Sequence, residues 1–190
     1  GPECMVLSAV FLIGSYAINA LSPKLAGKFQ VTTTVIKLIP LVLMGVVGVI
    51  VGLTNGMTAQ NFSNAVTEVT SKSGALLTAV CATAFAYEGW VIATSINAEL
   101  KDAKKNLPIA LVAGAGIVIV VYILYYVGLA GVVSNATLMA GGEEGAKVAF
   151  STLFSSVGGT LLFVFVIISC LGTLNGLMMG CTRGFYSLAA

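Results

Sequence analysis

The sequence contains no histidine. That absence removes the commonest general base, any Ser-His-Asp arrangement and most zinc sites. Charge is scarce too: 8% of the 190 residues are Asp, Glu, Lys or Arg, against about 25% in soluble domains. With 58% hydrophobic residues, the chain falls outside the soluble globular class. Its net charge of +2 is small and scattered, which gives no footing for a nucleic-acid partner. The four cysteines, Cys4, Cys81, Cys170 and Cys181, have neither metal-ligand spacing nor the density of a disulfide framework. They read as small apolar packing residues. The first apolar run, from about Met5, lacks the charged start and cleavage site of a signal peptide. GAG at 114–116 lies inside an apolar run without strand–turn–helix context, so it is no phosphate cradle. Neither a nucleophile–base pair nor a metal set is present in the pattern. No enzyme activity, cofactor or metal is expected.

What the chain does have is long apolar runs. Five occur, at about 5–21, 31–53, 75–98, 107–133 and 159–188. A run of ~20 apolar residues crosses the ~30 Å hydrocarbon core. The runs are apolar on every face rather than alternating, so helices are the spanning form. The expected fold class is all-α, a polytopic membrane helix bundle in a single partial domain over 1–190. Ser22-Pro23 closes the first run, and the second carries Lys37 and Pro40. The fourth has Asn106 as an expected cap and Pro108 in its first turn. A short helix lying on the bundle is expected at about 145–157. The chain starts at Gly1 and stops at Ala190 inside a helical pattern, and is expected to be a piece of a longer protein.

Loop charge orients these segments. The stretch 22–30 holds Lys24 and Lys28, and 99–106 holds Lys101, Lys104 and Lys105. The long stretches 54–74 and 134–158 are poorer in Lys and Arg for their length. The lysine-rich loops are therefore expected in the cytoplasm, touching anionic lipid, and the long ones outside. Asn61-Phe62-Ser63 and Asn135-Ala136-Thr137 match the glycosylation sequon, a pattern common by chance.

The chemistry concentrates in Phe85-Ala86-Tyr87-Glu88-Gly89-Trp90. A continuous helix would hold Glu88 inside the hydrocarbon at a cost of several kcal/mol if ionised and unpaired. Gly89 beside it permits unusual backbone angles. One reading is a helix that breaks at about 86–90 and frees backbone groups to line a cavity. The other is a continuous helix in which Glu88 pairs with a neighbour, for instance a lysine. Trp90 reads as a packing residue. Lys37, about two turns into its run, can snorkel to the interface along its flexible stem. Thr32, Thr33 and Thr34 can satisfy their hydroxyls on the preceding turn. Gly172, Gly176, Gly180 and Gly184 stand at four-residue spacing and form one stripe for close helix approach. Asn175 is expected to bridge helices.

AFAYEGW followed by ELKDAKKNLPIAL resembles transmembrane helix 6 and the next cytoplasmic loop of amino-acid permeases in the amino acid-polyamine-organocation (APC) superfamily. LSPKLAGKFQVTTTVIKLIPL resembles the junction of helices 4 and 5, and ISCLGTLNGLMMGCTRGFYSLAA resembles helix 8. The resemblance covers essentially the whole chain in family order. It implies part of an inverted-repeat (5+5) fold spanning helices 4 to 8, with the remaining N- and C-terminal helices as partners. It also implies a secondary amino-acid transporter working by alternating access, as proton-coupled symporter or exchanger, in the cell membrane, here a bacterial inner membrane. Sodium is the less expected coupling ion. By position, Phe85 is similar to the aromatic that closes over substrate. Ala86, Tyr87, Glu88 and Gly89 are similar to the unwound stretch whose carbonyls receive the amino group of an amino acid or related amine. Glu88 meets either a polar substrate side chain or a partner within the protein. For Lys37 the family adds a second reading, a lysine standing where sodium-coupled relatives hold an ion and exchanging a proton during the cycle. Ser169 and Thr173 are similar to the hydroxyls that help hold the ion in those relatives. A channel or a non-transporting helix bundle is the alternative.

Overall fold

Apolar runs without a β-type alternation leave the backbone one way to satisfy its polar groups in lipid, within the segment itself. The computed structural model describes residues 1–63, 72–95, 97 and 100–189, and among these it contains helices and turns but no strand. The helices are α1 (Pro2–Leu21), α2 (Pro23–Asn55), α3 (Met57–Ser63), α4 (Lys72–Ala86), α5 (Trp90–Ser95), α6 (Ala103–Val132), α7 (Asn135–Gly141) and α8 (Gly145–Ala189). Among the described residues, α1, α2, α6 and Gly145–Gly184 of α8 are long and apolar enough to cross a membrane. The chain is a multi-pass, all-α membrane protein.

The chain divides into two compact units. The first is Gly1–Lys37, Gly89–Gly114 and Val166–Ala190; the second is Leu38–Glu88 and Ala115–Phe165. In the first unit, Ala26 and Asn175 are each 1% exposed and Thr33 is 3% exposed. No residue of α1 is buried, and its valines, leucines and isoleucines present an apolar surface suited to lipid. In the second unit, Met44, Leu129, Val132, Val133, Ala149 and Phe150 form a buried cluster.

Two details depart from the sequence expectations, and one helix is kinked. The lysine-rich stretch 22–30 is not a loop: α2 begins at Pro23, directly after Ser22. Proline suits the first helical turn, where its missing N–H is not needed, and Ala26 donates its N–H to the Ser22 carbonyl at 3.0 Å. At 33 residues, α2 is about 50 Å long, well beyond the hydrocarbon core. Asn106 is not the cap of α6, which starts at Ala103 after Asp102 in a left-handed conformation (φ 48°). Its carboxamide instead donates to the Lys101 carbonyl at 2.6 Å. Finally, α8 carries a kink. Phe154 (φ −116°, ψ 17°) and Ser155 (φ 57°, ψ −153°) leave helical geometry inside it, and the helix resumes beyond.

Close backbone approach organises the second unit. A Cβ on Gly48 would collide with the Gly128 carbonyl oxygen, and one on Gly131 with that of Gly48. A Cβ on Gly128 would stand 2.5 Å from the Met44 carbonyl oxygen. Here α2 and α6 touch main chain to main chain. In the first unit, Gly172 faces Thr33, Gly176 faces Gln30, and Gly180 faces Ile92 and Ser95, while nothing lies within 4 Å of a Cβ on Gly184. Three members of the stripe thus serve close packing, as small residues do between membrane helices.

Candidate functional site

The apolar helix that begins as α4 stops at Ala86, and α5 starts at Trp90, leaving Tyr87, Glu88 and Gly89 as a turn. The break therefore falls inside the stretch 86–90 expected from the sequence. Tyr87 donates its N–H to the Thr83 carbonyl at 3.2 Å, the last turn of α4. Ile92 donates to the Gly89 carbonyl at 3.1 Å, the first turn of α5. Gly89 has φ 124°, a conformation that a residue with a Cβ rarely adopts. That one residue lets the chain leave one helix and enter another within a single turn. A helix end orphans its last carbonyls, and a helix start its first N–H groups. The end of α4 supplies the first kind of group and the start of α5 the second, each with the partial charge of a helix terminus.

Of the side chains around the break, Ala86, Glu88 and Gly89 are exposed and Tyr87 is half-buried. The Tyr87 ring meets Tyr122 of α6 edge-on, with centroids 5.5 Å apart and planes at 67°. Such aromatic pairs add about 0.5–1.5 kcal/mol beyond their buried area. Sequence reading missed Tyr122; only its place in a tyrosine-rich stretch, with Tyr125 and Tyr126, marks it out. Glu88 has no hydrogen-bond or ion-pair partner among the described residues, so no lysine neutralises it there. Trp90 is 61% exposed. The side chain of Phe85, and residues 96, 98 and 99 beyond α5, lie outside the described residues.

Lys37, Ser169 and Thr173 fall in the first unit, on α2 and α8. Lys37 is half-buried and also without a partner among the described residues. Thr173 is exposed and spends its hydroxyl on the Ser169 carbonyl at 3.0 Å. Among the described residues, no hydrogen bond joins Lys37 to either of them. Thr33 and Thr34 donate back to the preceding turn, Thr33 to Phe29 at 2.9 Å and Thr34 to Gln30 at 2.8 Å. The polar centre of this unit is instead Asn175. Its carboxamide donates to the Ala26 carbonyl at 3.2 Å and to Gln30 Oε1 at 2.9 Å. It accepts from Asn19 Nδ2 at 2.9 Å, so Asn175 bridges α8 to both α1 and α2.

Comparison with known proteins gives the chain a family. The profile of the amino acid permease family matches residues 2–190. The chain belongs to the amino acid permeases. Within the APC superfamily, this permease chain is 33% identical over 184 residues to the serine/threonine exchanger SteT of Bacillus subtilis. That alignment covers 97% of the chain and 40% of the exchanger. It is 29% identical over 174 residues to the b(0,+)-type amino acid transporter 1 of Oryctolagus cuniculus, covering 92% of the chain and 34% of the relative. It is 27% identical over 187 residues to the cystine/glutamate transporter of Homo sapiens, covering 97% and 36%. The permease chain thus spans well under half the length of these relatives. No solved structure matches it.

Proposed function

We propose that this permease chain is part of a secondary active amino-acid transporter that works by alternating access, as an exchanger or a proton-coupled symporter. The observation that carries the reading is the turn Tyr87–Glu88–Gly89 between α4 and α5. Broken helices whose ends face a cavity are a recurring means of holding substrate in such transporters. An ammonium offers three donors, and carbonyls at a helix end are fixed acceptors bearing partial negative charge. The substrate amino group sits on the carbonyls of Ala86, Tyr87 and Glu88, with Gly89 giving the backbone its turn and Phe85 closing over the substrate. The Glu88 carboxylate, without a partner among the described residues, faces a polar or basic part of the substrate. The names of the relatives, with a serine/threonine exchanger among them, favour a free amino acid as cargo and exchange as the mode. The protein resides in the cell membrane, a bacterial inner membrane, and works together with helices supplied by the rest of the transporter.

Glu88→Gln in the full-length protein, reconstituted in liposomes, tests this. Hydrogen bonds to charged groups are worth about 1.5–3 kcal/mol. The exchange rate at sub-saturating substrate should therefore change by about tenfold or more, or the substrate preference should shift. Insertion into the membrane should be unaffected. Unaltered kinetics for every amino acid tried would remove Glu88 from the site.

Coupling is assigned to Lys37, with Ser169 and Thr173 as secondary polar groups. The ammonium of Lys37, half-buried and without a partner among the described residues, supports a residue that exchanges a proton during the cycle. Lys37→Met is then expected to shift the pH dependence of transport. An unaltered profile would leave only the snorkelling role.

A further inference from the structure

The two sequons that chance would explain are in contact. Asn61, on α3, and Asn135, the first residue of α7, hold each other by side chain and main chain. The Asn135 N–H donates to Asn61 Oδ1 at 3.0 Å, and Asn135 Nδ2 donates to the Asn61 carbonyl at 3.0 Å. Asn61 Nδ2 donates twice more, to the carbonyls of Ala130 at 2.7 Å and Val133 at 2.9 Å, at the C-terminal end of α6. Those are carbonyls that a helix end leaves without partners. One carboxamide thus caps the end of α6 and receives the first N–H of α7, and its own residue is gripped in return.

The ground beneath this clasp is equally tight. Thr58 of α3 lies against Gly52 of α2, and Gly52 against Gly131 of α6. Asn55 Nδ2 reaches the Gly131 carbonyl at 3.5 Å. Leu129, Val132 and Val133 of α6 lie in the buried cluster with Met44 of α2 and with Ala149 and Phe150 of α8. All of these residues belong to the second unit. Close-packed elements rearrange between discrete arrangements rather than deforming gradually. A clasp of four hydrogen bonds over a main-chain contact has no slack to absorb a small shift.

We propose that Asn61 and Asn135 form a permanent clasp that keeps α3, the ends of α2 and α6, and α7 moving as one body throughout the transport cycle. The second half of this statement rests on the transporter reading above. The first half does not. Both asparagine side chains bond inside the protein.

Two measurements on the full-length protein test the proposal. The first is hydrogen exchange. Asn61→Ala should speed exchange of the α3 and α7 amides together, by about tenfold or more from the lost hydrogen bonds. Acceleration confined to α3, or none, would show that no clasp joins the two. The second uses the pair Asn61→Cys and Asn135→Cys, with Cys4, Cys81, Cys170 and Cys181 and any cysteines outside this chain replaced by serine. Oxidation should cross-link most molecules, and amino-acid exchange should stay within about twofold of the reduced protein. Exchange arrested by oxidation and restored by reductant would overturn the proposal, because the clasp would then have to open. Failure to cross-link in a protein that elutes as a folded species would overturn it as well. A wild-type protein that moves no amino acid would instead sink the transporter reading, and the hydrogen-exchange result would still decide the clasp.

Discussion

Gly48→Ala is expected to destabilise the full-length protein by about 3 kcal/mol, the upper end of what overpacking ordinarily costs. The added methyl would meet only main chain. It would overlap the Gly128 carbonyl oxygen and stand 2.7 Å from the Gly128 carbonyl carbon and 2.8 Å from its Cα. No rotamer change relieves a clash with backbone, so α2 and α6 would have to separate. Separation would strip the contacts that hold Met44 against Leu129, Val132 and Val133. Gly45→Ala is the comparison. Its methyl would meet Leu124 Cγ at 2.5 Å, with Cδ2 and the Leu124 main-chain carbon each at 3.1 Å, and a leucine can shift its side chain. A cost of about 1 kcal/mol is expected there, offset in part by the better helix propensity of alanine. The unfolding midpoint in mixed detergent micelles reads both. Equal midpoints for the two variants would refute the main-chain contact.

Asn175→Leu is the second substitution with a large expected effect, about 2 kcal/mol. The side chain is 1% exposed, and its carboxamide holds Asn19, Ala26 and Gln30. Leucine is of similar size but leaves the Asn19 amide, the Ala26 carbonyl and the Gln30 oxygen without that partner. An unsatisfied buried group costs about 1–3 kcal/mol. Interhelical hydrogen bonds in membranes average less, about 0.6 kcal/mol, because the unfolded helices find other partners. Three partners on two other helices bring the sum to the figure given. The same micelle unfolding assay decides it, with Asn175→Gln as the variant that keeps the chemistry and alters the reach. A leucine variant as stable as the parent would mean that the network stabilises nothing.

Local signals in the sequence were readable where chemistry and secondary structure coincide. The break at Tyr87–Gly89 could be expected because a glutamate and a glycine interrupt an otherwise apolar run. The stripe at Gly172, Gly176 and Gly180 declared itself by strict spacing, and Asn175 by being an amide within that stripe. The α2–α6 seam was not readable. Gly45, Gly48 and Gly52 on α2 meet Gly128 and Gly131 on α6; Gly48 and Gly52 stand four apart, but Gly128 and Gly131 stand three apart, and nothing in the linear pattern pairs the two sets. Asn61 and Asn135 were visible as residues, but nothing in a linear pattern links positions 74 apart. The start of α2 was misjudged because Lys24 and Lys28 looked like loop charge, whereas lysine is a good helix former. Lys37, Ser169 and Thr173 owe their assignment to resemblance, and the hydrogen bonding in the first unit centres on Asn175 instead.

The α2–α6 seam has a consequence for how the gene can drift. Any single-base change that turns a glycine codon into another amino acid adds at least a methyl group. At Gly48, Gly128 and Gly131 the smallest possible missense step already brings carbon into a neighbouring backbone. No graded path of slightly larger residues leads away from glycine at these codons. A change at one of them could survive only alongside a second event that moves the opposing helix. Lineages carrying this seam should therefore vary everywhere around it long before they vary within it.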